Sequence, residues 1–202
     1  FGRIWSWAKI HGVPTRPAEW RARHIHTPYG KETEAFIQKY QVQLESEGMP
    51  LDGWACEQIE MRLGYARRMR RMLRKVKPKL RNLNITWNRW MEKVVLYYYY
   101  PELMTHEPPW VHELGEILVA CEQLEAYSNR KRGQDYYSRS QESLAKAFQY
   151  LNSLKRKKHL SGKVVRAVRI LSSSGQFDSI LQAAKGGVLT EEDIQYLRSL
   201  PV

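Results

Sequence analysis

Residues 52–78 read DGWACEQIEMRLGYARRMRRMLRKVKP, and this stretch decides the fold class. Its apolar residues recur at gaps of three and four, the spacing that places side chains along one edge of an α-helix. They are Ala55, Ile59, Leu63, Ala66, Met69, Leu73 and Val76. Asp52 suits the N-cap position, and Pro78 is a natural stop because proline has no N–H to donate. The pattern therefore predicts one long helix, whose C-terminal half is cationic nearly everywhere outside the apolar edge.

Helical spacing continues on both sides of this stretch, whereas no run of strand length alternates between apolar and polar residues. We therefore expect an all-α protein, an irregular bundle of about seven or eight helices. Its other helices are predicted at 31–47, 85–99, 109–128, 140–154, 164–171, 177–184 and 191–200. Thr190 and Asp193 have the spacing of a capping box, with Asp in the usual Glu position.

Residues 1–30 are interrupted by glycines and prolines, which predicts an extended, irregular N-terminal arm. The arm mixes tryptophan with arginine, as do surfaces on which unpaired RNA bases stack. Its candidate contact residues are Trp5, Trp7, Trp20, Arg21 and Arg23. Tryptophans also anchor cores and protein interfaces, so the sequence leaves both uses open. We expect three regions, namely the arm at 1–30, a helical domain with the long basic helix at 31–128, and a smaller C-terminal helical region at 129–202.

Charge is distributed in blocks along the chain. The 33 Lys and Arg residues exceed the 21 Asp and Glu residues and give a formal net charge of +12. Residues 62–93 carry a net charge of +11, residues 94–129 contain six Glu and no Lys or Arg, and residues 130–169 carry +10. The basic blocks favour a polyanionic partner, and the acidic block between them favours a protein neighbour. A plainly solvated surface is the alternative, although self-repulsion makes it less favourable.

Phosphate binding requires Lys and Arg side chains that are presented together, and each neutralised phosphate adds affinity. The candidate RNA-binding residues are Arg67, Arg68, Arg70, Arg71, Arg74, Lys75, Lys77, Lys79, Arg81, Arg130, Lys131, Arg132, Lys155, Arg156, Lys157 and Lys158. The four arginines between 67 and 71 avoid the apolar edge, so we expect their replacement by Gln to weaken RNA association and leave folding unchanged. No helix-turn-helix, RRM or KH signature occurs, so the expected binding depends on RNA shape.

Motifs for catalysis or cofactor binding are absent from the sequence, which has no P-loop, no GxGxxG and no CxxC. The segment HELGE at 112–116 departs from the zincin motif because Glu116 stands where the second His is required. The HIH at 24–26 suits hydrogen bonding or stacking better than metal binding. Cys56 and Cys121 are expected to be buried, unreactive thiols. We therefore expect no enzyme, no cofactor and no metal site.

Residues 97–100 are four consecutive tyrosines near the predicted end of a helix. Consecutive residues point to all sides of a helical turn, so the four rings cannot share one buried face. We expect a protein interface at Tyr97, Tyr98, Tyr99 and Tyr100. No run of 18 apolar residues occurs, so no transmembrane segment is expected.

The composition of residues 1–30 and of the two basic blocks resembles that of accessory proteins of mitochondrial ribosomes. That resemblance implies a non-catalytic subunit of a large ribonucleoprotein that binds rRNA and neighbouring proteins. It implies no small-molecule substrate, no homo-oligomer and a mitochondrial matrix location, with any presequence removed before Phe1. Two alternatives stay open. One is a matrix-side accessory subunit of a respiratory-chain complex or ATP synthase that acts through protein contacts. The other is a helical adaptor of a cytosolic ribonucleoprotein or of chromatin.

Overall fold

A computed structural model describes residues 2–128 and 143–201 of the chain. Within these ranges it contains eleven α-helices, one short 3₁₀ helix and no β-strand, which confirms the all-α class. The helices are α1 (Gly2–Ile10), α2 (Pro17–Arg23), α3 (Glu32–Ser46), α4 (Gly53–Leu63), α5 (Tyr65–Asn82), α6 (Arg89–Leu96), the 3₁₀ helix (Pro101–Met104), α7 (Pro109–Ser128), α8 (Leu144–Arg156), α9 (Gly162–Ser173), α10 (Asp178–Ala184) and α11 (Glu191–Arg198). This number exceeds the predicted seven or eight, because residues 1–30 form two helices and the predicted long helix is divided.

The break in the long helix falls at Gly64, between α4 and α5. Helix α4 begins as predicted, since the side chain of Asp52 accepts a hydrogen bond from the N–H of Ala55 at 2.7 Å. At the break, the carboxylate of Glu60 occupies the space that a Cβ atom at residue 64 would fill. The apolar edge predicted for one helix thus continues across two, α4 and α5.

The predicted stop at Pro78 is wrong, because α5 continues to Asn82. Pro78 removes one N–H from the helix, but it lies at an exposed position where water can satisfy the freed carbonyl. Helix α5 ends at Asn82, and two residues later Asn84 has a φ of 57°, in the left-handed region. The carbonyl of Leu80 there accepts hydrogen bonds from the N–H groups of Leu83 and Ile85, each at 2.9 Å.

The expected extended arm at residues 1–30 is not what the structure shows. Helix α1 places Ile4, Trp5 and Ala8 on a buried face, and α2 begins with Pro17 at a position where proline suits a helix. These residues join one hydrophobic core with α3 and α4; its further members include Trp7, Trp20, Phe36, Leu44, Ala55, Ile59 and Leu63. The prolines therefore separate and start helices here rather than keeping the segment extended.

The chain divides into two compact units, one comprising Phe1–Glu92 with Tyr99–Glu102 and the other Lys93–Tyr98 with Leu103–Val202. Helix α7, which the sequence assigned to the same region as the long basic helix, thus belongs to the second unit. There it packs against α8 and α9. The region boundary that the sequence predicts at residues 128 and 129 falls at the edge of the described residues.

The second unit is organised around a buried apolar core with well-capped helices. The core includes Val111, Val119, Leu124, Ala147, Phe148, Leu151, Val164, Val165, Val168 and Leu197. Helix α11 has the predicted capping box, with reciprocal side-chain and backbone hydrogen bonds between Thr190 and Asp193. Cys121 is exposed rather than buried, and Cys56 is half-buried. None of the helices in the described ranges is long and apolar enough to cross a membrane.

Candidate nucleic-acid interface

Helix α5 carries most of the first basic block, and its burial changes along its length. Ala66, Met69 and Leu73 are its buried residues, and no residue after Leu73 is fully buried. We call residues 65–73 the proximal half of α5 and residues 74–82 the distal half. The distal half therefore extends beyond the core of its unit.

Two arginines of the proximal half are paired with carboxylates of the same unit. Arg67 donates from Nε to Glu60 Oε1 at 2.9 Å and from Nη1 to Glu34 Oε1 at 2.7 Å. Arg71 donates from Nη2 to the same Glu60 oxygen at 3.0 Å. Hydrogen bonding to Glu60, with its charge and that of Glu34, raises the pKa of Arg67 further above its ordinary value. These arginines therefore connect α5 to α3 and α4.

The other two proximal arginines also have intramolecular roles. Arg68 donates from Nη2 to the carbonyl of Met61 at 2.7 Å. The guanidinium of Arg70 lies 4.7 Å from the centre of the Tyr29 ring, a cation–π distance. Burial raises the pKa of Tyr29 to about 12, and the charge of Arg70 opposes that rise. All four side chains make contacts within the first unit, so we expect their replacement to affect stability more than the sequence alone predicts.

The cations of the distal half, unlike Arg67 and Arg71, are not paired with carboxylates of the described residues. In the part of the chain that the structure describes, no acidic side chain pairs with any of them: Arg74, Lys75, Lys77, Lys79 and Arg81. All are exposed except the half-buried Lys77. Helical spacing arranges them in two rows, because residues three or four apart share a face and rise about 6 Å per four residues. One row continues from Arg71 through Lys75 to Lys79.

The second basic block is only partly described. Arg130, Lys131 and Arg132 lie outside the described residues. The other four candidates follow one another at the end of α8, where all are exposed and none has an acidic partner within the described ranges; they are Lys155, Arg156, Lys157 and Lys158. Cations at a helix C-terminus also offset the helix dipole, so part of this tract stabilises α8 itself.

The residues expected to contact RNA from an arm are used inside the first unit. The exposed fractions of Trp5, Trp7 and Trp20 are 7, 4 and 1%, so none offers a free ring face to a base. Arg21 donates from Nε to Glu102 Oε1 at 2.6 Å, and Arg23 donates to the carbonyl of Gly12. The core interpretation of these tryptophans, one of the two that the sequence left open, is the one that the structure supports.

The four consecutive tyrosines are divided between the two units. In the first unit, Tyr100 is fully buried with its hydroxyl 3.4 Å from the N–H of Ala66, and Tyr99 stacks on Tyr65 at 3.8 Å between ring centres. In the second unit, the hydroxyl of Tyr97 donates to the carbonyl of His159 at 3.1 Å. Tyr98 shares a short hydrogen bond with Tyr150 in that unit. Intramolecular packing thus accounts for all four rings.

An apolar surface that the sequence did not reveal lies along α7. Leu114, Ile117 and Leu118 are apolar and recur at helical spacing, yet their exposed fractions are 38, 42 and 38%. Trp110 lies one turn before them and is half exposed. We call these four residues the α7 ridge. Both faces of α7 are apolar, and sequence periodicity alone does not determine which face becomes buried.

The described residues contain no group of three or more His, Cys, Asp or Glu side chains that could hold a metal ion. In the HELGE segment, His112 Nε2 lies 2.7 Å from the carbonyl oxygen of Met104, a hydrogen bond within the second unit.

No protein-family model matches the chain, and neither a curated protein nor a solved structure is significantly similar to it.

Proposed function

We propose that this protein binds the phosphate backbone of RNA through the distal half of α5, as a non-catalytic accessory protein of a large ribonucleoprotein. The observation that carries the proposal is the set of five distal cations that lack an acidic partner within the described ranges. The carboxylates of Glu34 and Glu60 are already engaged with Arg67 and Arg71. No acidic residue lies between 61 and 91.

The distal half has an electrostatic cost that a polyanion would remove. Lys75 and Lys79 stand four residues apart, as do Lys77 and Arg81, and each like-charged pair at this spacing destabilises a helix by about 0.2–0.5 kcal/mol. A phosphate backbone replaces this repulsion with attraction and releases counterions on binding. The rigid apolar edge of the proximal half holds the helix to its unit, so its distal cations are presented without folding on contact.

The type of RNA and the location are proposed from composition. Basic, Trp-rich and helical character favours a subunit of the mitochondrial ribosome in the matrix, contacting rRNA and neighbouring proteins. Two rows of cations on a helix contact phosphates and not base edges, so they suit RNA that is recognised by its shape. Homo-oligomerisation, a small-molecule substrate and catalysis have no part in this proposal.

A second candidate function is favoured by the α7 ridge. Its exposed apolar residues lie in the segment 94–129, which has six Glu and no Lys or Arg. This combination suits a partner protein that presents apolar side chains flanked by Lys or Arg. A matrix-side accessory subunit of a respiratory-chain complex or ATP synthase would use the ridge in this way.

RNA binding is tested with a variant that removes charge from the distal half alone. The substitutions Lys75→Gln, Lys79→Gln and Arg81→Gln are combined, and affinity for a structured RNA is measured by fluorescence anisotropy between about 50 and 200 mM salt. If all three side chains contact phosphates, the slope of log affinity against log salt should become shallower by about 0.7–0.9 for each lost contact. The matched control replaces three exposed lysines elsewhere, Lys9, Lys39 and Lys146, by Gln and has the same net charge.

An equal slope in the two triple variants would contradict the proposal, because the effect would then follow net charge and not position. Sedimentation of the tagged protein from cells separates the two candidate functions. Co-migration with a ribosomal particle that RNase abolishes supports the RNA proposal. Co-migration with a detergent-solubilised membrane complex that RNase leaves intact, and that Leu114→Ser with Ile117→Ser abolishes, supports the protein-contact alternative.

A further inference from the structure

A cleft in the second unit concentrates positive charge where α8 ends and α9 begins. It has a volume of about 280 Å³, at the small end of ligand-binding sites. Four of its lining side chains are cationic; they are Lys155, Lys163, Arg166 and Arg169. Gly162 and Pro201 complete much of the wall. We call this cavity the basic cleft.

The charges in the basic cleft are only partly compensated. Lys163 pairs with Glu113 of α7 at 2.6 Å. Among the described residues, Lys155 and Arg166 have no acidic partner. Arg169 bonds neutral groups only, the side-chain oxygen of Asn152 at 2.7 Å and the carbonyl of Pro201 at 3.5 Å. Three positive charges therefore remain available for a ligand.

Arg169 makes two hydrogen bonds, but one of its N–H donors has no acceptor among the described residues. Its two bonds attach the guanidinium to α8 and to the end of the chain, while its Nε is buried and has no hydrogen-bond partner among the described residues. Buried N–H groups without a partner are uncommon in native structures. A fixed arginine fork is the group that best matches the oxygen geometry of phosphate.

The first turn of α9 adds backbone donors at the same place. Ser161 caps the helix by accepting a hydrogen bond from the N–H of Val164, which leaves the N–H groups of Gly162 and Lys163 without an intrahelical acceptor. This turn contains no acidic residue, although Glu116 accepts from the N–H of Ser161 just before it. Lys155 Nζ lies 3.7 Å from the position of a Cβ atom at Gly162, so a cation and the positive end of the helix dipole share one space.

From this arrangement we infer that the basic cleft is a binding site for a phosphate group that carries more than one negative charge, a phosphomonoester or a diphosphate. Three uncompensated cations exceed what a single backbone phosphodiester would neutralise. A helix N-terminus with two open N–H groups and arginine side chains beside it is a common way to bind such groups. The ligand is either the terminal phosphate of an RNA strand or a free diphosphate. This inference is independent of the distal half of α5, which belongs to the other unit.

Pyrophosphate is the probe for the site, added to the 202-residue chain during calorimetric titration at about physiological salt. The test variant combines Lys155→Gln and Arg166→Gln, which should lower the affinity by about tenfold or more, as expected for lost hydrogen bonds to charged groups. The matched control combines Arg156→Gln and Lys157→Gln, which remove the same charge next to the cleft but not from its lining. The control should retain affinity within about twofold.

The amide resonance of Gly162 gives a local readout in an NMR titration, and it should shift on addition of pyrophosphate. Equal losses of affinity in the two double variants, or an unmoved Gly162 resonance, would overturn the inference. RNA oligonucleotides of one sequence with a 5′-phosphate or a 5′-hydroxyl distinguish the source. Preference for the phosphorylated strand assigns the site to an RNA end, and equal binding assigns it to a free diphosphate. The triple variant of α5 should bind pyrophosphate as wild type does. Failure of the proposal for α5 can therefore be distinguished from failure of the proposal for the basic cleft.

Discussion

Arg67 on α5 donates from Nε to Glu60 Oε1 on α4 at 2.9 Å, and its Nη2 donates to the other oxygen of the same carboxylate. The pair spans the break at Gly64, where the Glu60 side chain fills the space that a Cβ atom would need. One carboxylate thus lies against the glycine that separates the two helices and pairs with an arginine of the first basic block. The exposed fraction of the Glu60 side chain is only 13%, so this carboxylate is largely removed from solvent.

Replacement of Arg67 by Gln should destabilise the protein, whereas replacement of Lys75 should not. The first change leaves a largely buried carboxylate with fewer donors, which should cost about 1–3 kcal/mol. Lys75 is exposed and has no acidic partner in the described ranges, so its loss should alter stability by less than about 0.5 kcal/mol. Urea denaturation measures both free energies of unfolding. Equal stability of the two variants would show that the Arg67–Glu60 pair has no structural role.

Glu32 should make stability depend on pH. It is fully buried, and burial raises the pKa of its carboxyl above the ordinary value of 4.5, although the N–H of Gly30 and the charge of Arg21 oppose the rise. As the pH rises above 4.5, Glu32 loses its proton in the unfolded chain before it does so in the folded protein. The folded state is therefore progressively destabilised relative to the unfolded state until the pH exceeds the folded-state pKa of Glu32. Glu32→Gln should therefore gain stability relative to wild type between about pH 4 and pH 7. Thermal unfolding across this range checks the difference, which would be independent of pH if the prediction were wrong.

Gly115 on α7 should not tolerate alanine. A Cβ atom there would lie 2.9 Å from Met104 Cε and 3.0 Å from Tyr97 Cγ. The methionine end can move, but the tyrosine ring is held by the hydrogen bond from its hydroxyl to His159. Overpacking of about 1–3 kcal/mol should outweigh the gain of about 1 kcal/mol from replacing a helical glycine. The control is Gly53→Ala, where no atom lies within 4 Å and stability should be unchanged or slightly higher in the same urea assay.

Asn84 should control the order of the distal half of α5. Its left-handed conformation costs most side chains about 1–2 kcal/mol, whereas glycine adopts it freely and asparagine tolerates it. Asn84→Ala should speed amide hydrogen exchange at residues 80–82 and weaken RNA binding without any change in charge. Asn84→Gly is the control and should preserve both properties. Unchanged exchange in the alanine variant would show that this residue does not end the helix.

Much of the fold can be predicted from patterns of residues that are close together in the sequence. The spacing of apolar residues predicted the helices of the second unit within a few residues, and the Thr190–Asp193 capping box was predicted from two side chains. The sequence does not predict the N-terminal helices, because Pro14 and Pro17 are equally typical of an extended segment. Their buried spacing at Ile4 and Ala8 was a usable signal.

The candidate sites depended more on distant contacts. From the sequence alone, Arg67 and Lys75 are equally good candidates for RNA binding, because both are cations outside the apolar edge of the predicted helix. Glu34 distinguishes them, since it lies 33 residues before Arg67 in the chain and pairs with that arginine at 2.7 Å. The basic cleft likewise joins Lys155 to Arg169 across the turn between two helices.

The sequence by itself determined the all-α class, most helix positions and the blocks of charge, because helix formation and charge depend on residues that are near one another in the chain. The tertiary structure decided which charges are neutralised and which remain available to a partner. It also decided which face of α7 is buried, and it divided the four tyrosines between two compact units. These properties depend on packing between distant segments, since a carboxylate or an apolar face acts only on what folding brings within a few ångströms.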